Sequence, residues 1–247
     1  MDYRSTPFLV TEIADTDCPL CRGTLYVLVV DNVGYPGHVT AKPCPDPHGV
    51  HCRVQASRLA AVSGLLPEEM GLRLSDLSAY GATGQMVALA QRFVEKPWGF
   101  LTLWGGYGNG KTLVLQAIIN EFRLRHRVIG AYVRLADLLD YVRAGYDRDA
   151  DADARERYER FKTLPVLAID ECDGPRLTAF AEEFRRSFLD DRYRLAVARR
   201  AHTVFAMNCD PATLPGDLYD RLRDGRFVIF HNTDPSMRPA ARRVDDD

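Results

Sequence analysis

Lysine is scarce in this chain of 247 residues, occurring only at positions 42, 96, 111 and 162, and arginine carries nearly all the remaining positive charge. A lysine kept against that bias suggests a specific task, and Lys111 stands inside a motif. Net charge is scarce as well, at −2, which excludes a polycation drawn to nucleic acid by its overall field but not local basic patches. No segment approaches the ~18 consecutive apolar residues of a membrane-spanning helix. The first residues lack the basic-then-apolar pattern of a secretory signal. A cytoplasmic protein without a membrane partner is therefore expected. In that setting six cysteines imply metal binding or core use rather than disulfides. Hydrophobic residues at 46% and charged residues at 27% suffice for one large domain, or a medium one with a small attachment, and exclude global disorder.

The texture changes along the chain. Residues 1–60 hold four of the six cysteines and a Pro/Gly-rich run from Tyr35 to Val50, with a strand expected over residues 24–30. Residues 61–75 read as a connector, with a helix start at Pro67. From residue 76 to 247 buried strands alternate with helices: strands near 100–104, 128–133, 164–169, 203–207 and 227–230, and helices near 111–126, 136–142 and 177–198. Continuous apolar strands alternating with helices predict an α/β fold with a parallel sheet covered on both faces. Asp147, Asp149, Asp151 and Asp153 alternate as in a calcium loop, but Ala152 and Tyr158 stand where that loop needs Gly and Glu. A solvated acidic helix start explains them.

Gly105-Gly106-Tyr107-Gly108-Asn109-Gly110-Lys111-Thr112 matches G-x-x-x-x-G-K-[ST] in full, with a strand before it and a helix after it. Glycines let backbone N–H groups converge on phosphates, and the helix start adds its positive dipole end. Lys111 supplies a point charge for the β- and γ-phosphates of ATP, and the Thr112 hydroxyl can ligate Mg²⁺. Downstream, the apolar strand 166–169 delivers Asp170 and Glu171 at the sheet edge where α/β proteins bind ligands. Asp170 is expected to hold Mg²⁺, and Glu171 to orient or deprotonate the attacking water.

These residues resemble the AAA+ ATPases, and within them the helicase-loader group that includes DnaC, DnaI and the transposition protein IstB. The likeness runs from about Leu72 to Arg238. It implies a P-loop AAA+ core with Asn208 as sensor 1, either Arg221 or Arg223 as the arginine finger, and Arg238 as sensor 2. Only 39 residues follow Asn208, so the C-terminal lid is expected to be truncated or absent, as in that group. An arginine finger acts on a neighbour's γ-phosphate, which implies a homo-oligomer. The resemblance further implies a DNA-replication protein that binds a replicative helicase and single-stranded DNA. The alternatives are an ATP-dependent regulator of transposition that recruits a transposase on duplex DNA, and a P-loop kinase of a small metabolite.

Cys18-Pro19-Leu20-Cys21 has the spacing that places two thiolates on one metal. With Cys44 and Cys52 it makes a candidate four-thiolate Zn²⁺ site, His48 or His51 being substitutes for the last ligand, in a zinc-binding module over residues 1–60. A segment of this composition folds poorly without a metal. Zinc-bearing N-terminal parts of some loaders contact the helicase, which the resemblance extends to this module. Cys172 and Cys209 read as small core residues. Arginines 123, 125 and 127, and arginines 185, 186, 192, 194, 199 and 200, form two basic clusters. Each reads as a solvated helix face, the second paired with Glu182, Glu183, Asp190 and Asp191.

Overall fold

A computed structural model describes residue 18 and residues 26–31, 38–45, 62–77, 80–126, 128–146, 152–173 and 178–238. A two-stranded antiparallel hairpin, β1 (Tyr26–Asp31) and β2 (His38–Pro43), comes first. Short 3₁₀ turns follow at Pro67–Glu69 and Leu74–Asp76. The main body then runs α1 (Gly81–Glu95), β3 (Phe100–Gly105), α2 (Lys111–His126), β4 (Gly130–Arg134), α3 (Leu135–Tyr146) and α4 (Ala152–Thr163). It continues with β5 (Val166–Asp170), α5 (Ala179–Val197), β6 (His202–Met207), α6 (Gly216–Leu222) and β7 (Val228–Asn232). The expected core strands and helices are all present, with ends shifted by a few residues.

The five later strands are parallel in the order β4-β5-β6-β3-β7. Alternation along them divides the core in two. Leu101, Leu103, Val166, Ala168, Val204 and Ala206 pack toward α1 and α2, while Phe100, Leu167, Ile169, Phe205 and Met207 pack toward α3 and α5. Burying strands on both faces explains why they read as unbroken apolar runs rather than alternating ones. Strand ends are in step: Arg134 pairs with Asp170, Ile169 with Phe205, and Trp104 with Met207. Loops leaving β3, β5 and β6 therefore emerge along one edge.

α1 was not singled out from the sequence, although Met86, Ala90, Phe93 and Val94 line up at helical spacing and are buried. β2 was masked by the Pro/Gly richness around it. The second surprise is α2, buried nearly all round from Val114 to Arg123. One face meets the sheet; the other lies under residues 62–77. Its polar side chains there are partnered: Gln116 donates to Glu69 Oε1 at 2.7 Å, and Asn120 to the carbonyls of Glu69 and Leu72 at 2.8 and 3.0 Å. Arg123 donates to the Met70 carbonyl, and Arg73 forks onto buried Glu121 at 2.8 and 3.2 Å. The segment expected as a connector is thus built into the core, contributing Leu65, Met70 and Leu74.

Candidate nucleotide site

The glycine-rich loop, the two carboxylates and Asn208 meet at the C-terminal edge of the sheet, because β6 lies between β3 and β5. Lys111 opens α2 and is 6% exposed. Its ammonium donates to the Gly105 and Gly106 carbonyls at 2.8 and 2.6 Å and to Asn109 Oδ1 at 2.9 Å. Burial lowers its pKa, against the pull of nearby Asp170 and Asp173. Asn109, fully buried, donates to the Asn232 carbonyl, and Asn232 donates back to the Asn109 carbonyl at 3.0 Å, which fixes the loop to the end of β7.

The chain beyond β7 returns across the same loop. The Met237 N–H donates to the Gly108 carbonyl at 2.9 Å. A Cβ on Gly108, whose φ is +73°, would lie 2.2 Å from Ser236 Oγ, so only glycine admits this crossing. Arg238, the sensor 2 residue of the resemblance, thereby stands at the loop, its Cγ 3.3 Å from where that Cβ would be. Asp234 anchors the crossing by accepting the Ala82 and Thr83 N–H groups at the start of α1, at 3.1 and 2.7 Å. Those amides hold its carboxyl below the usual range.

Asp170, 5% exposed, accepts from Thr112 Oγ1 at 2.7 Å and from the Tyr132 hydroxyl at 2.9 Å, both on Oδ2, while Oδ1 takes the Glu171 N–H at 2.9 Å. A hydroxyl beside a carboxylate is a hard oxygen set of the kind Mg²⁺ takes, usually alongside substrate phosphates. Glu171 is exposed and has φ +53°, one of two described non-glycine residues with positive φ. Such a backbone costs of order 1–3 kcal/mol, and here it turns the carboxylate out of the strand at its edge. The Cys172 N–H donates to the Ala206 carbonyl, and Asp173 accepts the Asn208 and Cys209 N–H groups on one oxygen, at 2.5 and 2.7 Å. Asp173 therefore locks the turn after β5 to the turn after β6 and so fixes Asn208 relative to Glu171.

Tyr132, Asp173, Asn232 and Asp234 were missed from the sequence. Only the string Asp170-Glu171-Cys172-Asp173 hinted at one of them. Cys172 is buried, as expected, and burial raises its thiol pKa strongly.

Arg221 and Arg223 part company. Arg221 forks onto Asp190 of α5 at 3.1 and 2.8 Å and donates to the Asp217 carbonyl. Arg223, with its side chain 60% exposed, pairs among the described residues with the still more exposed Asp220 at 3.1 Å and lies over the Tyr219 ring. Of the basic cluster on and after α5, arginines 186, 194, 199 and 200 are exposed, but Arg185 and Arg192 are buried. Arg123 of the first cluster is buried too, whereas Arg125 pairs with Glu121 and Glu95. The reading of solvated faces is corrected for these three, which serve the interior; residue 127 lies outside the described residues.

Of the candidate zinc ligands, Cys18 and Cys44 come together, their sulfurs 3.7 Å apart, with Cys44 fully buried against the α1–α2 core. Cys21, Cys52, His48 and His51 lie outside the described residues. Among the described residues no group of three or more potential metal ligands gathers, and no helix is long and apolar enough to cross a membrane.

The sheet order and the loops at its edge define an α/β domain with a five-stranded parallel sheet flanked by helices, a fold shared with solved replication proteins. The DnaC helicase loader superposes with a TM-score of 0.58 at 15% identity over 68% of this chain and 100% of that one. DnaI gives 0.55 at 21% identity, over 69% and 96%. Domain III of the Thermotoga maritima replication initiation protein DnaA gives 0.56 at 17% identity, over 69% of each. A DnaA bound to AMPPCP and single-stranded DNA matches at 0.54 and 17% identity, and this chain spans about half the length of such initiators (49%). No protein-family model and no curated protein matches the sequence.

Proposed function

We propose that this protein is an ATPase of the DNA-replication machinery, acting as a helicase loader that assembles with copies of itself. One observation carries the reading: Lys111, Thr112, Asp170, Glu171 and Asn208 converge on a single sheet edge, with Thr112 and Asp170 joined at 2.7 Å. Loop amides and the start of α2 receive the phosphates of ATP, and Lys111 exchanges its loop carbonyls for phosphate oxygens. Thr112 and Asp170 would hold Mg²⁺, which when bound would offset the phosphate charge. Glu171 takes the proton of the attacking water, and the Asn208 amide orients that water or the γ-phosphate.

Arg223 is the better arginine finger. Its exposed pair with Asp220 is worth ~0.5 kcal/mol or less and yields readily to a neighbour's phosphate, whereas Arg221 joins α6 to α5. Arg238 meets the nucleotide from the segment crossing the loop. The name DnaA carries beside single-stranded DNA, and the DnaC and DnaI likeness, favour single strands and a replicative helicase as partners.

We also propose a structural Zn²⁺ in the N-terminal module, held by Cys18, Cys21, Cys44 and Cys52. The sulfurs of Cys18 and Cys44 lie 3.7 Å apart, too far for a disulfide at ~2.0 Å and near enough that both could serve one Zn²⁺.

The test is ATP hydrolysis with and without single-stranded and duplex DNA, for the wild type and Glu171→Gln. Loss of a general base lowers turnover about 10²–10⁴-fold with nucleotide binding retained, and single strands stimulate the wild type. Hydrolysis unchanged in Glu171→Gln would sink the assignment of the base. Stimulation by duplex alone would replace the loader by a transposition regulator.

A further inference from the structure

Asp170 has one partner that the chemistry of ATP hydrolysis does not require. Thr112 is expected beside a metal-holding carboxylate, but the second donor to Oδ2 is a tyrosine from the neighbouring strand, 2.9 Å away. β4 and β5 pair in register, Tyr132 against Ala168 and Arg134 against Asp170. The ring must therefore reach along the sheet to the carboxylate two positions on. Among the described residues, Thr112 and Tyr132 are the only side chains hydrogen-bonded to Asp170.

The phenol is half-buried and donates to the carboxylate at 2.9 Å. Its donation has a geometric effect. An oxygen that accepts from both Thr112 and Tyr132 has a fixed direction, and the Glu171 amide fixes the other oxygen. A Thr112 hydroxyl that gave a lone pair to a metal could still donate to Oδ2, and Tyr132 would be the second donor that keeps the carboxylate from rotating.

The other side of Tyr132 meets the segment arriving from the N-terminal module. β4 is an edge strand, and Gly64 presses on its outer side. With φ +67°, a Cβ at Gly64 would sit 2.2 Å from the Tyr132 carbonyl oxygen, a distance no side chain tolerates. Flanking Ser63 and Leu65 are buried, which holds the chain in place there. One residue thus receives the incoming segment on its backbone and grips the metal-side carboxylate with its side chain.

We propose that Tyr132 is a positioning residue that orients Asp170 for Mg²⁺ and, through its contact with Gly64, makes that carboxylate responsive to the N-terminal segment. The inference rests on the nucleotide-site reading above. It predicts that what the N-terminal module binds is felt as a change in Mg²⁺ affinity, not as a change in the phosphate loop.

The experiment measures binding of a fluorescent ATP analogue in EDTA and across a Mg²⁺ titration, with melting temperature alongside, for the full chain, Tyr132→Phe and Gly64→Ala. Tyr132→Phe removes one hydrogen bond to a charged group. It should raise half-saturating Mg²⁺ about ten-fold, with affinity in EDTA and melting temperature near wild type. Gly64→Ala cannot keep the contact, because its Cβ would meet the Tyr132 carbonyl, so it should move the Mg²⁺ response in the same direction and also lower the melting temperature. An unchanged Mg²⁺ response in Tyr132→Phe overturns the proposal, and so does a joint fall in EDTA affinity and melting temperature, the mark of a packing role. Gly64→Ala matching the wild type while Tyr132→Phe does not refutes the link to the N-terminal segment. A wild type that binds the analogue without regard to Mg²⁺ overturns the reading of the site and this inference together.

Discussion

Lys111 and Arg192 are both buried cations, one at each end of the sheet, and they are satisfied in different ways. Lys111 takes three oxygens, all from the loop it closes, with Asp170 and Asp173 close enough to act on its charge. Arg192 is fully buried, and burial alone pushes its pKa down to about 9. Its guanidinium donates to Thr203 Oγ1 and to the carbonyls of Phe161, Lys162, Leu164 and His202. Those acceptors belong to the end of α4 and to the starts of β5 and β6, so Arg192 knots three elements at the N-terminal edge. Among the described residues no side-chain acid shares it. At that edge four acceptors are backbone carbonyls and the fifth is a buried threonine hydroxyl, and nothing is left to exchange. At the other edge the acceptors line the glycine-rich loop, and exchange for phosphate is the function proposed for it.

The largest effect expected from breaking this contrast is on stability at Arg192. Arg192→Met fills the volume but strands several buried carbonyls, at about 1–3 kcal/mol for each left without a donor. A total loss of about 3–5 kcal/mol is expected, or a melting temperature about 10 °C lower. Arg192→Lys should recover only part of it, since one ammonium cannot span the fork's acceptors. Differential scanning fluorimetry decides; a change under about 2 °C in Arg192→Met would show that the knot is dispensable.

Lys111→Ala sharpens the contrast from the other side. Losing two charge-assisted bonds to phosphate should weaken ATP binding about 100-fold, with stability altered by only ~1 kcal/mol. Calorimetric titration and a denaturation curve on one preparation separate the two quantities. If stability falls as far as in Arg192→Met, Lys111 is a second structural knot and the two ends of the sheet do not differ in kind.

The two residues also differ in how plainly the sequence announces them. Lys111 is legible because phosphate binding is local: glycines, lysine and threonine must stand within eight positions, and no distant residue alters that. The position of Asp170 and Glu171 at a strand end was legible for the same reason, while Asn208 was reached through the resemblance to the loader group. Arg192 sat unseen among neighbouring arginines because charge was read without periodicity. Yet Phe184, Phe188, Leu189, Arg192 and Ala196 fall on one helical face and are all buried, so the stripe gave the signal. Tyr132 and Asp173 could not have been read, since their partners are 38 and 35 residues away and only the sheet order brings them together. Burial of Arg123 was hidden by its partner, the carbonyl of Met70 in a segment that looked like a linker.

The smallest effect concerns His202, which belongs to the same knot. Its Nδ1 accepts the Gly99 N–H at 3.1 Å, and its ring lies among Phe93, Phe122, His126 and Arg192. Burial, with Arg192 and His126 adding to it, pushes its pKa down to about 3. The unfolded chain binds this proton from about pH 6.5 downward, while the folded chain refuses it until about 3. Stability is therefore complete above 6.5 and drains away as pH falls between those values. Between pH 7 and 5.5, where most carboxylates stay ionised, one such group costs about 1.3 kcal/mol. Urea curves at the two pH values should show that loss in the wild type. His202→Asn, whose amide oxygen can accept from Gly99 without titrating, should show little of it. An equal loss in both proteins would place the acid sensitivity elsewhere. A loss confined to the wild type would mean that the N-terminal edge, built to exchange nothing, responds to pH through the titratable imidazole it keeps beside its cation.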